Sequence, residues 1–497
     1  MFHPLAAFRR TAPALAHLSL LAAAPAFGAG FALQENSASG LGNAYAGGAA
    51  AADDATTLWS NAAGMARLGS RQVAGALNLI WPSMEFRNAG SVAAAQQGLG
   101  GEGGNAGSIA VVPNLYLTWP IDRQWSVGVG VNAPFGLKTE YDNGWIGRFQ
   151  GLKSEIKTIN VNPAVSWQPV EGLSIGAGAN YQYLDATFTS NANYSGALLS
   201  AAAANGIAPG SPTFNAIARA TPGLQSNVEV TGDDSAWGWN LGVLFEFAPD
   251  QRIGAQYRSA LKYEIGGKVS FANPALPALP PALAGVVGAL ANGVNTQLLY
   301  NSSVRSSIKL PEIVNVSYFG RLNERWDLMA DAQYTGWSSI ETLTFTRGNG
   351  QPLQTTAENF RNAWRVALGA NYRHDAQWLL RGGVAYDRSP VQDGWRTVRL
   401  PDADRTWLAL GARYTPDPTW WIDVGAAYIW VKSGGIDEIG SSNFGMPPSA
   451  DYCSAYLEQE RSRSRSRAVI TVTGRNRKGV VARLTAVIAE QGGDILD

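Results

Sequence analysis

Side chains with reactive chemistry are sparse in this sequence. Its three histidines, His3, His17 and His374, are scattered, and Cys453 is the sole thiol. A structural zinc site needs about four such ligands, a disulfide needs two thiols, and a nucleophile needs a base beside it. No Gly-Lys-Ser/Thr loop is present to cradle a nucleotide phosphate. Lys plus Arg and Asp plus Glu number 38 each, so no polybasic surface argues for nucleic acid. An enzyme, a metal or cofactor carrier and a nucleic-acid binder are therefore poor readings. The charges that stand out are Arg258, Arg365, Arg381 and Arg413 inside apolar stretches, and Glu35, Asp53 and Asp54 in a small-residue segment near the start. Opposite charges so placed suit ion pairs across an interior, which join parts together.

The elements that would position them follow from patterning. Charged residues are 15% of the 497, against roughly 25% in a typical soluble domain, so something other than charge covers the outside. The start carries Arg9 and Arg10, an apolar run from Ala12 to Ala24, and Ala26-Phe27-Gly28-Ala29. That order reads as a cleaved secretory signal over residues 1–28. An anchor helix fits less well, because Pro13, His17 and Pro25 interrupt a run shorter than the roughly 20 apolar residues that span a bilayer.

Beyond it no apolar run reaches the length of a membrane helix, and alternation takes over. Trp420, Ile422, Val424, Ala426, Tyr428 and Trp430 share one face, with Trp421, Asp423, Gly425, Ala427 and Ile429 on the other. The end tryptophans are about 33 Å apart along a strand, which a tilt near 40° reduces to about 25 Å, the height of an outer-membrane apolar band. The pattern recurs from Trp364 to Tyr372, from Trp326 to Tyr334 and from Trp237 to Phe247. A soluble sandwich would alternate too, but nothing in it would repeat aromatics at membrane height. About thirteen such segments lie between residues 71 and 432, joined by short polar turns and long loops in alternation. They predict an all-β fold, a transmembrane antiparallel β-barrel over residues 70–435. Thirteen is an odd count, and bacterial barrels of one chain close with an even number.

A barrel of this size has a lumen wider than its own side chains fill. The glycine-rich stretch from Ser37 to Gly64 is too specified for a linker, so residues 29–69 are expected to fold inside as a luminal hatch. The inward arginines would then be partners for Glu35, Asp53 and Asp54. Two further features suit a hydrophobic cargo. The loop from Asn273 to Asn292 carries Leu283, Val286, Val287 and Leu290, an apolar patch of the kind that marks capture from outside. The strand face Trp125-Val127-Val129-Val131 runs into Asn132-Ala133-Pro134-Phe135-Gly136, where proline cannot donate to a ladder and the wall should weaken.

Several motifs carry a family resemblance. Gly30-Phe31-Ala32-Leu33, Ser39 to Gly47, Ala52 to Ala55 and Asn61-Ala62-Ala63 resemble the N-terminal hatch of the FadL-type outer-membrane transporters of long-chain fatty acids and other hydrophobic compounds. Pro134 to Tyr141, Trp145 to Arg148, Leu310-Pro311-Glu312, Asp331 to Trp337 and Leu400 to Trp407 are similar to that family as well, over about residues 29–435. Ala62 departs from it, standing where the family usually has proline. The resemblance implies a fourteen-stranded barrel with a hatch, in the Gram-negative outer membrane, without a cofactor. It places Phe31 and Leu33 beside a substrate cavity and Asn61 in the gate. It makes the bend at Asn132, Pro134, Phe135 and Gly136 a lateral exit from the third strand. A monomer surrounded by outer-membrane lipid, assembled by the barrel-assembly machinery, is expected.

The tail does not continue the pattern. Residues 436–467, ending in the Arg/Ser run from Arg461, read as a disordered linker. Residues 468–497 resemble the first half of an ACT domain: a strand through Val469, Thr471 and Thr473, then a helix from Gly479 to Gln491. A fused reading frame accounts for such a fragment better than a regulatory tail, and the barrel lacks an evident fourteenth strand. Passive transport of hydrophobic compounds leads; the alternatives are a porin for polar solutes and an amino-acid-responsive protein acting through the tail.

Overall fold

In the computed structural model, residues 30–439, 452–457 and 467–474 are described. The signal segment, most of the expected linker and the ACT-like helix lie outside these residues. Nineteen strands form one antiparallel sheet that closes on itself. They are fourteen wall strands, five of them interrupted once. In chain order these are β1 (Gln72–Ile80), β2 (Ala110–Pro120), β3 (Trp125–Asn132 and Gly136–Glu140), β4 (Lys153–Val170), β5 (Leu173–Asn193) and β6 (Gln225–Ala248). Next come β7 (Gln251–Arg258 and Leu261–Ala272), β8 (Ser302–Leu310 and Ile313–Arg321), β9 (Trp326–Thr335 and Thr342–Arg347) and β10 (Pro352–Ala357 and Ala363–Arg373). The last four are β11 (Trp378–Asp387), β12 (Arg405–Asp417), β13 (Trp420–Val431) and β14 (Arg467–Gly474).

The strand faces follow the alternation. Trp237, Trp239, Leu241, Val243, Phe245 and Phe247 of β6 are all exposed, while Asn240, Gly242 and Leu244 between them are buried. Trp364, Val366 and Leu368 are exposed on β10, with Arg365 and Ala367 buried between them. An apolar outer face with a polar inner one is stable only where lipid replaces water outside. Among the described residues no helix is long and apolar enough to cross a membrane.

The strand that closes the barrel lies where the sequence shows an ACT-like fragment. β14 pairs with β13 from Trp420↔Gly474 to Ala427↔Arg467, and with β1 from Val73↔Gly474 to Asn78↔Val469. The register sets Ile470 opposite Val424 of β13 and Leu77 of β1. Within the range expected to be linker, Tyr452–Leu457 pairs with Gly434–Ile439 and with Arg87–Asn88 in a small second sheet.

The hatch fills the lumen with short helical turns, α1 (Ala38–Gly42), α2 (Gly48–Ala51) and α3 (Thr57–Ser60), followed by a 3-10 turn over Ala62–Arg67. Small residues on both sides allow backbone to lie on backbone. A β-carbon added at Gly254 of β7 would lie 1.8 Å from the Ala49 carbonyl oxygen, and one at Gly383 of β11 would lie 2.2 Å from the Asn43 oxygen.

Candidate functional site

The luminal arginines hold the hatch, mostly through its carbonyl groups. Arg413 of β12 pairs with Asp54 at 2.8 Å and with Asp423 of β13 at 2.7 Å. The Arg413–Asp54 pair is an expected pairing of a luminal arginine with a hatch carboxylate. Arg381 turns to Asp423. Arg365 donates to the Ala44 oxygen at 2.6 Å. Arg258 donates to the Trp59 oxygen at 3.0 Å and stacks on its ring. Arg252 donates to the Ala50 oxygen at 2.6 Å. Helical turns this short leave carbonyls without intrahelical partners, and guanidinium groups satisfy them. Sequence patterning missed this because carbonyl groups leave no trace in residue identity.

Asn61 is fully buried and does the same work from the hatch side. Its amide donates to the Ala49 oxygen at 2.7 Å and to the Val243 oxygen of β6 at 3.0 Å, and its oxygen accepts from the Ala63 amide at 3.1 Å. The last bond caps the turn that begins at Ala62. Proline is therefore not needed there to set the turn.

The third strand breaks where Pro134 predicts. β3 pairs with β2 from Pro120↔Ser126 to Leu115↔Val131, and that ladder ends there. Ala110 to Asn114 of β2 stay paired with β1 alone, so the seam between β2 and β3 is open over five residues, about 16 Å of strand. Beyond the break Gly136 resumes pairing with β4, and Asn132 keeps its place through the Asn160 amide, 3.1 Å from its oxygen.

The start of the hatch lies along this break. The Leu33 amide donates to the Pro134 oxygen and the Gly136 amide to the Phe31 oxygen, both at 2.8 Å, with Ala32 bridging Phe135 between them. Leu33 packs with Ala110 and Val112 on one side of the seam and Ala133 on the other. Phe31 meets Trp337 edge to face at 4.9 Å between centroids and Phe135 at 5.9 Å, and Phe360 lies 6.1 Å beyond Trp337. The wall aims these rings inward by interrupting itself: Trp337 and Phe360 sit in the breaks of β9 and β10, as Phe135 sits in that of β3. The Gly30 amide adds a bond to Asp402, 2.7 Å from Oδ2. Trp337 ends the Asp331 to Trp337 motif, whose role the sequence left unassigned; the run Gly336 to Ser339, which spoils the alternation, was the available signal.

Two chambers meet at this segment. A cavity of about 30 Å³ is lined by Phe31 and by inward residues of the wall, among them Leu184, Phe188, Val230, Ile265 and Phe345. A second, of about 100 Å³, reaches Leu33 and Pro134 and is lined by polar groups such as Asp53, Arg258, Asp331 and Arg365. The expected capture residues are elsewhere, on α6 (Pro281–Gly293), which packs with α4 (Tyr194–Ala204) and α5 (Pro212–Ala220) over the long-loop end. Val287 and Leu290 are buried in that packing, Leu283 is half-buried and Val286 is exposed.

A closed, lipid-facing barrel with a folded internal hatch and an interrupted wall defines a transport protein of the outer membrane. The profile of one protein family, described as outer membrane protein transport protein (OMPP1/FadL/TodX), matches residues 19–459. A long-chain fatty acid transport protein of Escherichia coli O6:H1 is 34% identical over 426 residues, covering 84% of this chain and 91% of that protein. Outer membrane protein P1 of Haemophilus influenzae is 31% identical over 444 residues, covering 86% and 91%. The crystal structure of a Pseudomonas aeruginosa FadL homologue superposes with a TM-score of 0.76 at 23% identity, covering 90% of this chain and all of that one. The Pseudomonas putida toluene transporter TodX gives 0.59 at 16%, covering 85% and 94%. The chain belongs to the OMPP1/FadL/TodX family and is an outer-membrane transport protein, not an enzyme. Its residues 466–497 match the profile of the ACT domain.

Proposed function

We propose that this protein carries long-chain fatty acids or related hydrophobic compounds passively across the outer membrane, and that the segment from Gly30 to Leu33 is its gate. The observation that carries the reading is the double placement of that segment. Phe31 floors the apolar chamber while Leu33 stops the open seam between β2 and β3. A hydrophobe gains nothing from an aqueous path, so capture outside, an apolar chamber and a side exit into lipid suit it, whereas a filled lumen disfavours a porin for polar solutes. Leu283 and Val286 keep the exposure that capture needs, with Val287 and Leu290 supporting their helix. Asn61 fixes the hatch against β6, and Asn132, Pro134, Phe135 and Gly136 form the exit. Monomeric insertion, with lipid around the apolar band, belongs to the same reading.

The test is uptake by cells expressing the intact chain or one lacking Ala133, Pro134 and Phe135, with a fatty acid, an alkane and a monoaromatic hydrocarbon as substrates. Loss of uptake with retained barrel assembly is expected. Equal uptake by the two would remove the seam from the pathway.

A further inference from the structure

One polar side chain in the apolar chamber is not explained by its surroundings. Ser306 stands in the inward row Val304, Ser306, Ile308 of β8, opposite Ile265 of β7, and is 6% exposed. Its hydroxyl meets no hydrogen-bond partner among the described residues. A buried hydroxyl left unmatched is costly, and alanine would fill the position without that cost. The described lining holds one other hydroxyl, Thr231, and no charged side chain. Arg399 stacks on Phe188 at the chamber's edge, but it donates to the Lys153 and Thr189 oxygens and to Ser154 Oγ at 3.1–3.4 Å. An ionised carboxylate entering the chamber would give up water without gaining a counter-charge.

We propose that the chamber binds uncharged amphiphiles, an apolar body with a single hydroxyl, carbonyl or protonated carboxyl head that hydrogen-bonds to Ser306 Oγ. Ser306 is then a specificity-determining residue: it separates such molecules from bare hydrocarbons of the same length, and the missing counter-charge separates them from ionised acids. This rests on the reading of the chamber as part of the transport path.

The experiment measures binding of 1-decanol, decane and decanoate to the full chain in lipid nanodiscs, beside Ser306→Ala and Ser306→Thr. In the intact protein at pH 8, decanoate is expected to bind at least about tenfold more weakly than decanol. Ser306→Ala weakens decanol about fivefold, the loss of one hydrogen bond, and leaves decane unchanged. Ser306→Thr, which keeps the hydroxyl, retains decanol affinity. Equal weakening of decanol and decane by Ser306→Ala would reduce Ser306 to a packing residue and overturn the proposal. Decanoate binding at pH 8 as tightly as decanol would overturn it on charge. Failure of all three probes to bind a folded barrel would instead sink the chamber as a transport site, and the proposal with it.

Discussion

Replacing Phe31 by alanine isolates the latch from the wall. The ring is 3% exposed and packed against Trp337 and Phe135, so its removal costs about 3–5 kcal/mol of seating energy by the measure of buried Phe→Ala changes. Three hydrogen bonds remain, from the Gly30, Leu33 and Gly136 amides, each contributing about 1 kcal/mol. At the lower figure of about 3 kcal/mol, the unseated population rises by about two orders of magnitude while the seated form still holds. The wall ladders do not pass through Phe31, so the barrel should keep its heat-modifiable mobility on a gel. The assay uses Val112→Cys as a reporter in a Cys453→Ser background. Val112 is 1% exposed, lies beside Leu33 at the seam, and becomes reachable when that segment leaves. Where opening and closing are fast, the rate of modification by a neutral maleimide follows the open population. A rise of about a hundredfold with Phe31→Ala is expected. An unchanged rate in a folded barrel would mean that the rings around Phe31 do not hold the segment, and the latch argument would fail.

Two further perturbations separate the contributions of hatch and tail. Asp54→Asn removes one of two carboxylates from Arg413, which keeps Asp423, whereas Arg413→Ala leaves Asp54 buried without its cation and Asp423 with Arg381 alone. Loosening of the hatch, read as ion conductance through single barrels, is therefore expected to be several-fold greater for Arg413→Ala, since uncompensated buried charge costs about 3–5 kcal/mol. A chain ended after Gly474 should assemble into a heat-modifiable barrel, and one ended after Ser466 should not, because β13 and β1 would each be left with an unpaired edge. Assembly of the shorter chain would show that another segment closes the wall.

Most of the wall was legible because lipid imposes a strict period of two on a strand that faces it on one side only. Trp237 to Phe247 and Trp364 to Tyr372 could be assigned to inside and outside from spelling alone. The break at Pro134 was legible for a similar local reason, since proline lacks the amide that a ladder needs. The closing strand was not assigned to the wall. Val469, Thr471 and Thr473 read as a strand, but β-propensity describes a half-buried pleated surface and does not say which sheet will receive it. The loop patch from Leu283 to Leu290 divided in the same way: its apolarity was evident, and its partners among α4 and α5 were not.

The sequence by itself determined which side chains meet lipid and where the third strand must fail; both depend on residue type at fixed local spacing. Only the tertiary structure decided that Phe31 lies among Phe135, Trp337 and Phe360, that Leu33 spans an open seam, and that arginines bind the hatch through its carbonyl groups. Those contacts join residues hundreds of positions apart, or involve backbone atoms common to every residue, so they arise when the sheet closes and its breaks turn side chains into the lumen.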